Sequence, residues 1–225
     1  MINNRLRRFT ETIYCCERFA IIKIANHILT NVYFPCSGTL NRLLICEELI
    51  SDIESWVTRY PDNDIIIAGD FNTDLDNSDP VTSCINSFCQ RYSIRRSQTQ
   101  TFTSKLPTYI NATLNHASTI DYILSSDPRV LIDFSVLDLH TNFSDHVPIM
   151  ANLLLTLLNN DLSLNSPTRP APVTKLRWDH ADTALYYNHA RVLLEPLSYR
   201  LSRTESEFLL LVLIQLLLHQ PLMII

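Results

Sequence analysis

Short apolar runs and one long helical repeat divide the first third of the chain into strands and a helix. Apolar and β-branched residues fill two runs, 19–24 and 28–34, on either side of a turn at Asn26-His27, and this pattern predicts a pair of strands. From residue 39 to residue 60, apolar positions recur at helical spacing. The spacing predicts an amphipathic helix of about five turns.

A second strand and helix follow, and the pattern then changes to short strands. Residues 64–68 are uniformly apolar, which is typical of a strand buried on both faces of an α/β sheet. Asp79 and Pro80 resemble the N-cap and first residue of a helix whose apolar face runs to Tyr92. Further strands are predicted at 101–103, 119–124, 130–139 and 147–155. The chain therefore reads as a mixed α/β protein with a largely β C-terminal half.

A polar segment divides the chain into a domain and a tail. Residues 158–174 are rich in Asn, Ser and Pro, as linkers are. We predict a domain over 1–156, a linker over 157–174, and a helical connector with an apolar tail over 175–225. The almost purely Leu, Ile and Val run at 208–218 is a core helix lacking its partner, a terminus out of its context, or a membrane anchor. It is marginal for a span, which needs about 20 apolar residues, and no membrane contact is expected.

Composition excludes several classes of protein. The formal net charge is −5, with 18 Lys+Arg against 23 Asp+Glu, so bulk positive charge cannot hold nucleic acid and any such role needs a local site. The six cysteines contain no CxxC pair, and we expect Cys84 and Cys89 to be buried, reduced thiols. The N-terminus does not resemble a secretory signal, which favours an intracellular protein.

The strand predicted at 64–68 leads directly into Gly69-Asp70-Phe71-Asn72. Open α/β sheets place their ligands at the carboxyl ends of such strands. A carboxylate and an amide two positions apart can point at one region, and oxygen ligands of this kind suit Mg²⁺. A polar turn after the strand is the simpler alternative.

Two more candidates lie further along the chain. Asp145-His146 directly precedes an apolar strand, and a carboxylate beside an imidazole can hold a metal or transfer a proton. Asp121 interrupts an apolar strand, which is costly unless a donor such as an imidazole N–H reaches its carboxylate. A buried structural aspartate is the alternative for Asp121.

Five segments together carry a family resemblance: Asn31–Pro35, Gly69–Asn72, Gln100–Ser104, Ser118–Ile123 and Ser144–Pro148. Their order and strand context resemble the endonuclease/exonuclease/phosphatase superfamily, the DNase I-like proteins, over roughly residues 15–156. The AP-endonuclease-like domains of non-LTR retrotransposons look closest. Their pre-catalytic strands resemble Pro107–Ile110 and Ser118–Asp121, and their connector to the reverse transcriptase resembles Leu176–Asp182.

The resemblance implies hydrolysis of a phosphodiester in DNA by in-line attack of water, with Mg²⁺, or Mn²⁺ in its place, and no small-molecule cofactor. It implies a nuclear location. Each candidate residue takes a role. Asp70 would contact the phosphate or polarise the water, Asn72 would hold the phosphate or its metal, and Tyr33 would contact the phosphate. Asp145 would bind the metal or orient the nucleophile, His146 would stabilise the pentavalent phosphorus or act as base, and Asp121 would fix the His146 tautomer.

The superfamily fold is a four-layer α/β sandwich whose N-terminal half supplies an asparagine and a metal-binding glutamate. Only 32 residues precede Tyr33 in this sequence. We therefore expect the C-terminal portion of that sandwich, with the first sheet largely missing and activity weakened by the absent metal ligands. A phosphoinositide-type phosphatase of the same superfamily and a non-catalytic remnant are the alternatives.

Overall fold

The structure is a computed structural model that describes residues 9–96, 107–137 and 144–156, together with the backbone of 207–214. The strand predicted at 101–103 and the linker predicted over 157–174 lie outside the described residues. So does the connector-like segment at 176–182.

The described residues form two helices and eleven strands. In chain order they are β1 (Thr10–Cys15), β2 (Phe19–Ile24), β3 (His27–Tyr33), α1 (Arg42–Val57), β4 (Asp64–Asp70), α2 (Pro80–Arg91), β5 (Arg95–Arg96), β6 (Tyr109–Asn111), β7 (His116–Ser118), β8 (Asp121–Ser125), β9 (Leu131–Val136), β10 (Ile149–Thr156) and β11 (Glu207–Ile214).

A six-stranded main sheet has the strand order β1-β2-β3-β4-β8-β5. The connection from β3 to β4 runs through α1, and these two strands are parallel. On its other side β4 pairs antiparallel with β8. Strand β4 is therefore central, with a neighbour on each edge, which explains its continuous apolar sequence. A smaller sheet has the order β11-β10-β9, and β6 and β7 form a separate hairpin.

Both faces of the main sheet are covered. Ile65 and Ile67 of β4 belong to a core that includes apolar side chains of α1 and α2. Ile66 and Ala68, which point the other way, belong to a second core with side chains of β9 and β10. Each fully buried isoleucine stabilises the fold by about 1.5–3 kcal/mol. The predicted mixed α/β class is confirmed.

Local sequence signals locate the second helix well and the strand ends less well. The helix α2 begins at Pro80, and the side chain of its N-cap Asp79 accepts a hydrogen bond from the backbone N–H of Thr82, so the predicted start is confirmed. His27, predicted to lie in a turn, is instead the buried first residue of β3. Strand β4 continues to Asp70, so the candidate carboxylate ends the strand and does not follow it.

The core-helix alternative for the apolar run at 208–218 is wrong at residues 208–214, which lie in β11. The backbone of β11 pairs antiparallel with β10 along its full length. A run of leucines without polar positions has no periodicity that separates strand from helix, so pairing with β10 decides the outcome. In the described part of the chain, neither helix has the length and apolar character needed to cross a bilayer.

All six cysteines lie in described residues and carry free thiols. Cys84 and Cys89 are half-buried and not fully buried as predicted, because they lie at the margin of the helix-covered core.

Candidate active site

Strand pairing brings three of the candidate residues to one edge of the main sheet. Tyr33 at the end of β3 is the register partner of Asp70 at the end of β4. Asp70 is in turn the partner of Asp121 at the start of β8. The three residues therefore stand side by side across adjacent strands, about 5 Å apart from one strand to the next.

Gly69 allows β3 and β4 to approach closely beside this edge. Its φ angle is +145°, a conformation that residues with a side chain rarely adopt. A Cβ atom at this position would lie 2.0 Å from the carbonyl oxygen of Val32 in β3. The close approach therefore requires glycine, and it carries Tyr33 and Asp70 into register.

The carboxylate of Asp70 is held by the residue two positions later. Its Oδ1 accepts the backbone N–H of Asn72 at 2.7 Å, and its Oδ2 accepts the Asn72 side-chain amide at 2.6 Å. Asn72 adopts a left-handed conformation with φ of 49°, which asparagine tolerates better than most residues. The amide of Asn72 also donates to the carbonyl of Phe34 at 2.9 Å, which ties the ends of β3 and β4 together.

Arg42, the first residue of α1, binds the two loops that follow β3 and β4. Its Nε donates to the carbonyl of Pro35 at 3.0 Å, and its Nη2 donates to the carbonyl of Asn72 at 2.8 Å. Both loops are thus attached to the start of a helix, and Asn72 is held at both its amide and its carbonyl.

Asp121 and His146 form a hydrogen-bonded pair, with 3.0 Å between Asp121 Oδ2 and His146 Nδ1. The side chain of Asp121 is 2% exposed and that of His146 is 17% exposed. Strand β6 supports the imidazole, because Tyr109 forms a backbone bridge with His146 and presents its ring edge-on at 5.3 Å. The carboxylate faces the interior, and the imidazole keeps a partial opening to solvent.

Burial and negative charge set the protonation of this cluster. Burial raises the pKa of Asp70 well above its usual range, and the charge of Asp121 raises it further. Burial also raises the pKa of Asp121, although the hydrogen bond from His146 opposes the rise. Burial alone would lower the pKa of His146, but the hydrogen bond and charge of Asp121 raise it above its ordinary value, with help from Asp70 and Asp145. The cluster therefore favours a protonated imidazole among buried carboxyls.

Tyr33 borders the cluster on the β3 side and is half-buried. Burial raises the pKa of its phenol, and the neighbouring Asp70 adds to the rise. The guanidinium of Arg18 lies 5.3 Å from the centre of the Tyr33 ring. A phenolic hydroxyl and a positive charge therefore border an otherwise acidic cluster.

Asp145, the predicted metal ligand, is exposed. Its backbone carbonyl accepts the N–H of Ile110 at 2.7 Å, so strand β6 holds the loop before His146. Mg²⁺ prefers oxygen ligands and often takes only one or two carboxylates, with water and substrate phosphate completing its coordination. The exposed Asp145 beside Asp70 and Asp121 fits this chemistry. In the residues that the structure describes, no group of three His, Cys, Asp or Glu side chains has the arrangement of a complete metal site.

The structure brings Tyr33, Asp70, Asn72, Asp121 and His146 together, with Asp145 next to His146 in the chain. Sequence reasoning did not find three residues that support them: Arg18, Arg42 and Thr108. Most of their contacts are to backbone groups or to an aromatic face, and such contacts leave no periodicity or motif in the sequence. Of the three, only Thr108 lies in a segment that contributes to the family resemblance, Pro107–Ile110.

One protein family matches the stretch of chain that contains most of the candidate site residues. Residues 47–146 match the model of the Endonuclease/Exonuclease/phosphatase family. The match begins in α1, includes Asp70, Asn72 and Asp121, and ends at His146. This stretch, which is less than half of the chain, is thus similar to that family. No curated protein sequence matches the chain.

Several solved structures are similar. A 3′-5′ exonuclease from Neisseria meningitidis has 18% sequence identity and a TM-score of 0.49, covering 60% of this chain and 64% of that one. An AP endonuclease from Archaeoglobus fulgidus has 14% identity and a TM-score of 0.48, covering 60% and 65%. A family protein from Bacteroides thetaiotaomicron has 18% identity and a TM-score of 0.44, covering 58% and 52%. The chain thus spans less than two thirds of each of these proteins.

Proposed function

We propose that this chain derives from a nuclease that hydrolyses phosphodiester bonds in DNA with a divalent cation, Mg²⁺ or Mn²⁺. The observation that carries the proposal is the Asp121–His146 pair, with 3.0 Å between its hydrogen-bonded atoms, on strands that also align Asp70 and Tyr33. A carboxylate-oriented imidazole beside a second carboxylate can hold and move protons around an attacking water. The family match supports phosphate-ester hydrolysis in general.

Each side chain has a role that its contacts allow. Because Nδ1 of His146 faces Asp121, its Nε2 is the nitrogen left for a phosphate oxygen. Asp121 holds the imidazole in this tautomer and supports its positive charge. Asp70 accepts a proton from the water or orients it, while the Asn72 amide fixes the Asp70 carboxylate. Tyr33 donates its phenolic hydrogen to the phosphate.

A metal ion in this proposal would be held by Asp145 together with phosphate oxygens and water. Such an ion would supply positive charge to offset the negative charge that develops on the phosphate oxygens.

The strand motifs around Asp121 and the connector-like segment at 176–182 support a finer proposal, that this nuclease belonged to a non-LTR retrotransposon. Its substrate would then be chromosomal DNA and its location the nucleus.

A plasmid-nicking assay tests the proposal. The purified chain is incubated with supercoiled plasmid and Mg²⁺ or Mn²⁺, beside the variants Asp121→Asn and His146→Gln. The matched control is Asp64→Asn, because Asp64 is a partly exposed carboxylate at the opposite end of β4. Loss of proton transfer costs about 10²–10⁴-fold in rate, so we expect both site variants to lose nicking and the control to retain it.

Three results would count against the proposal. Nicking that survives both site variants would locate the activity elsewhere. Phosphate release from phosphoinositides without nicking would favour the phosphatase alternative. A folded chain that neither nicks plasmid nor binds DNA with either cation would favour a non-catalytic remnant. The rate of the wild-type chain also tests the expectation of weakened activity.

A further inference from the structure

Thr108 lies where three separate segments of the candidate site meet, and its side chain is completely buried. It precedes β6, outside the set of residues to which the family resemblance gives a role. We propose that Thr108 is a positioning residue that sets the placement of Asp121 relative to His146. This inference rests on the proposed function, because it concerns the same pair.

The backbone of Thr108 joins the hairpin to the segment that carries His146. Its N–H donates to the carbonyl of Ser118 at 3.0 Å, which closes the β6–β7 hairpin. Its carbonyl accepts the N–H of Val147 at 2.6 Å, directly after His146. The chain around His146 is therefore held at a fixed distance from Thr108.

The side chain of Thr108 holds the other member of the pair. Its Oγ1 accepts the backbone N–H groups of Ile120 and Asp121, each at 3.0 Å. Two accepted bonds leave the hydroxyl hydrogen to donate, and a hydrogen bond from this hydroxyl to the Asp121 carboxylate opposes the burial that raises the pKa of that group. Both the backbone and the side chain of Asp121 are thus bound to one oxygen.

These contacts cannot be replaced by solvent. Because Thr108 is 0% exposed, loss of the hydroxyl would leave two buried N–H groups without an acceptor. The chain would then have to shift at the start of β8, which would displace Asp121 from His146. Serine would preserve the oxygen, whereas the nearly isosteric valine would remove it.

A purely structural threonine would affect stability alone, so the test measures the pair directly. The proton on His146 Nδ1 is followed by NMR as a slowly exchanging low-field imidazole signal, assigned by its absence from His146→Gln. We expect the signal in the wild-type chain and in Thr108→Ser, and its loss in a folded Thr108→Val. A matched control is Thr30→Val, because Thr30 is equally buried in β3 and its hydroxyl makes no hydrogen bond. That control should keep the signal.

Nicking kinetics distinguish an effect on the placement of the Asp121–His146 pair from an effect on DNA binding. In a nicking assay, Thr108→Val should lower kcat by about 100-fold with little change in KM, because a displacement of about 1 Å at a reacting group has that effect. Thr108→Ser should restore kcat. An equal change in the Ser and Val variants would overturn the inference.

The NMR measurement does not need an active enzyme. It can therefore test the role of Thr108 even if the chain does not act as a nuclease. A signal that persists in Thr108→Val, or is missing from the wild-type chain, would overturn the inference whatever the nicking result. If Thr108→Val does not fold, hydrogen exchange in the wild-type chain decides. The amides of Ile120 and Asp121 should be as protected as those of β4, and rapid exchange of either would refute the role of the hydroxyl.

Discussion

Replacing Gly69 with alanine would place a methyl group against the backbone of the neighbouring strand, next to the candidate site. The added Cβ would lie 2.0 Å from the carbonyl oxygen of Val32, and 2.8 and 2.9 Å from its nitrogen and carbonyl carbon. Carbon and oxygen atoms in such contacts normally keep about 3.3 Å or more. Strands β3 and β4 would have to separate by more than about 1 Å to accept the methyl group.

The free-energy cost of Gly69→Ala has two parts. A residue with a side chain at φ of +145° is strained by about 1–3 kcal/mol. Separation of the two strands would weaken ladder hydrogen bonds that contribute about 1 kcal/mol each. We expect a loss of about 3–5 kcal/mol in the free energy of unfolding, a large fraction of the usual 5–15 kcal/mol of a domain. Tyr33 and Asp70 would lose their register, so the geometry of the candidate site would be lost together with stability.

Urea denaturation followed by circular dichroism measures this loss, and the only other glycine supplies the control. A Cβ on Gly38 would meet nothing within 4 Å, and the φ angle of Gly38 is not in the left-handed range. Gly38→Ala should therefore change the free energy of unfolding by no more than about 1 kcal/mol, in the stabilising direction. Equal stability of the Gly69→Ala and wild-type proteins would refute the close-approach argument.

Two further predictions concern stability away from the site. Burial lowers the pKa of His27, with Asp64 opposing the shift. Since the folded state disfavours the charged imidazole, the stability of the fold with neutral His27 is fully present above the unfolded pKa of about 6.5. That stability is lost as pH falls through the folded pKa of His27. In urea titrations from pH 7.5 to pH 5 the wild-type chain should lose stability relative to His27→Gln, since the other titrating groups are common to both proteins, and identical pH profiles would contradict this reasoning. Asp79→Ala should lose about 1 kcal/mol because the Asp79 side chain caps α2 through the N–H of Thr82, whereas Asp79→Asn should retain most of the cap. If urea denaturation gave Asp79→Ala the same stability as the wild-type chain, the cap would contribute nothing.

Local signals in the sequence were sufficient for the elements that depend on their own residues. The start of α2 was predictable because Asp79 and Pro80 act within one turn of the helix. The core strand β4 was predictable because its neighbours on both edges and the layers on both faces select apolar residues throughout. The family resemblance also needed only the sequence, since short motifs at strand ends keep their order along the chain.

Strand pairing over long distances was not predictable from those signals. The short strand β5 and the β6–β7 hairpin have little apolar periodicity, because most of their residues are half-exposed or exposed. Their existence depends on partners elsewhere: β5 on β8, and Tyr109 on His146. Strand β11 likewise exists through its pairing with β10. Tertiary context overrides weak local preference in such segments.

The sequence by itself identified the candidate side chains of the proposed chemistry, among them Asp70, Asn72, Asp121, Asp145 and His146. It did so through short motifs whose order along the chain resembles that of the superfamily, and through the cost of placing the Asp121 carboxylate in an apolar strand without a donor. Only the tertiary structure decided how they meet, through the β4–β8 register, the absence of a side chain at Gly69, and the hydroxyl of Thr108. Each of these contacts involves a backbone group and a partner distant in the chain, and no local pattern of polar and apolar residues records them.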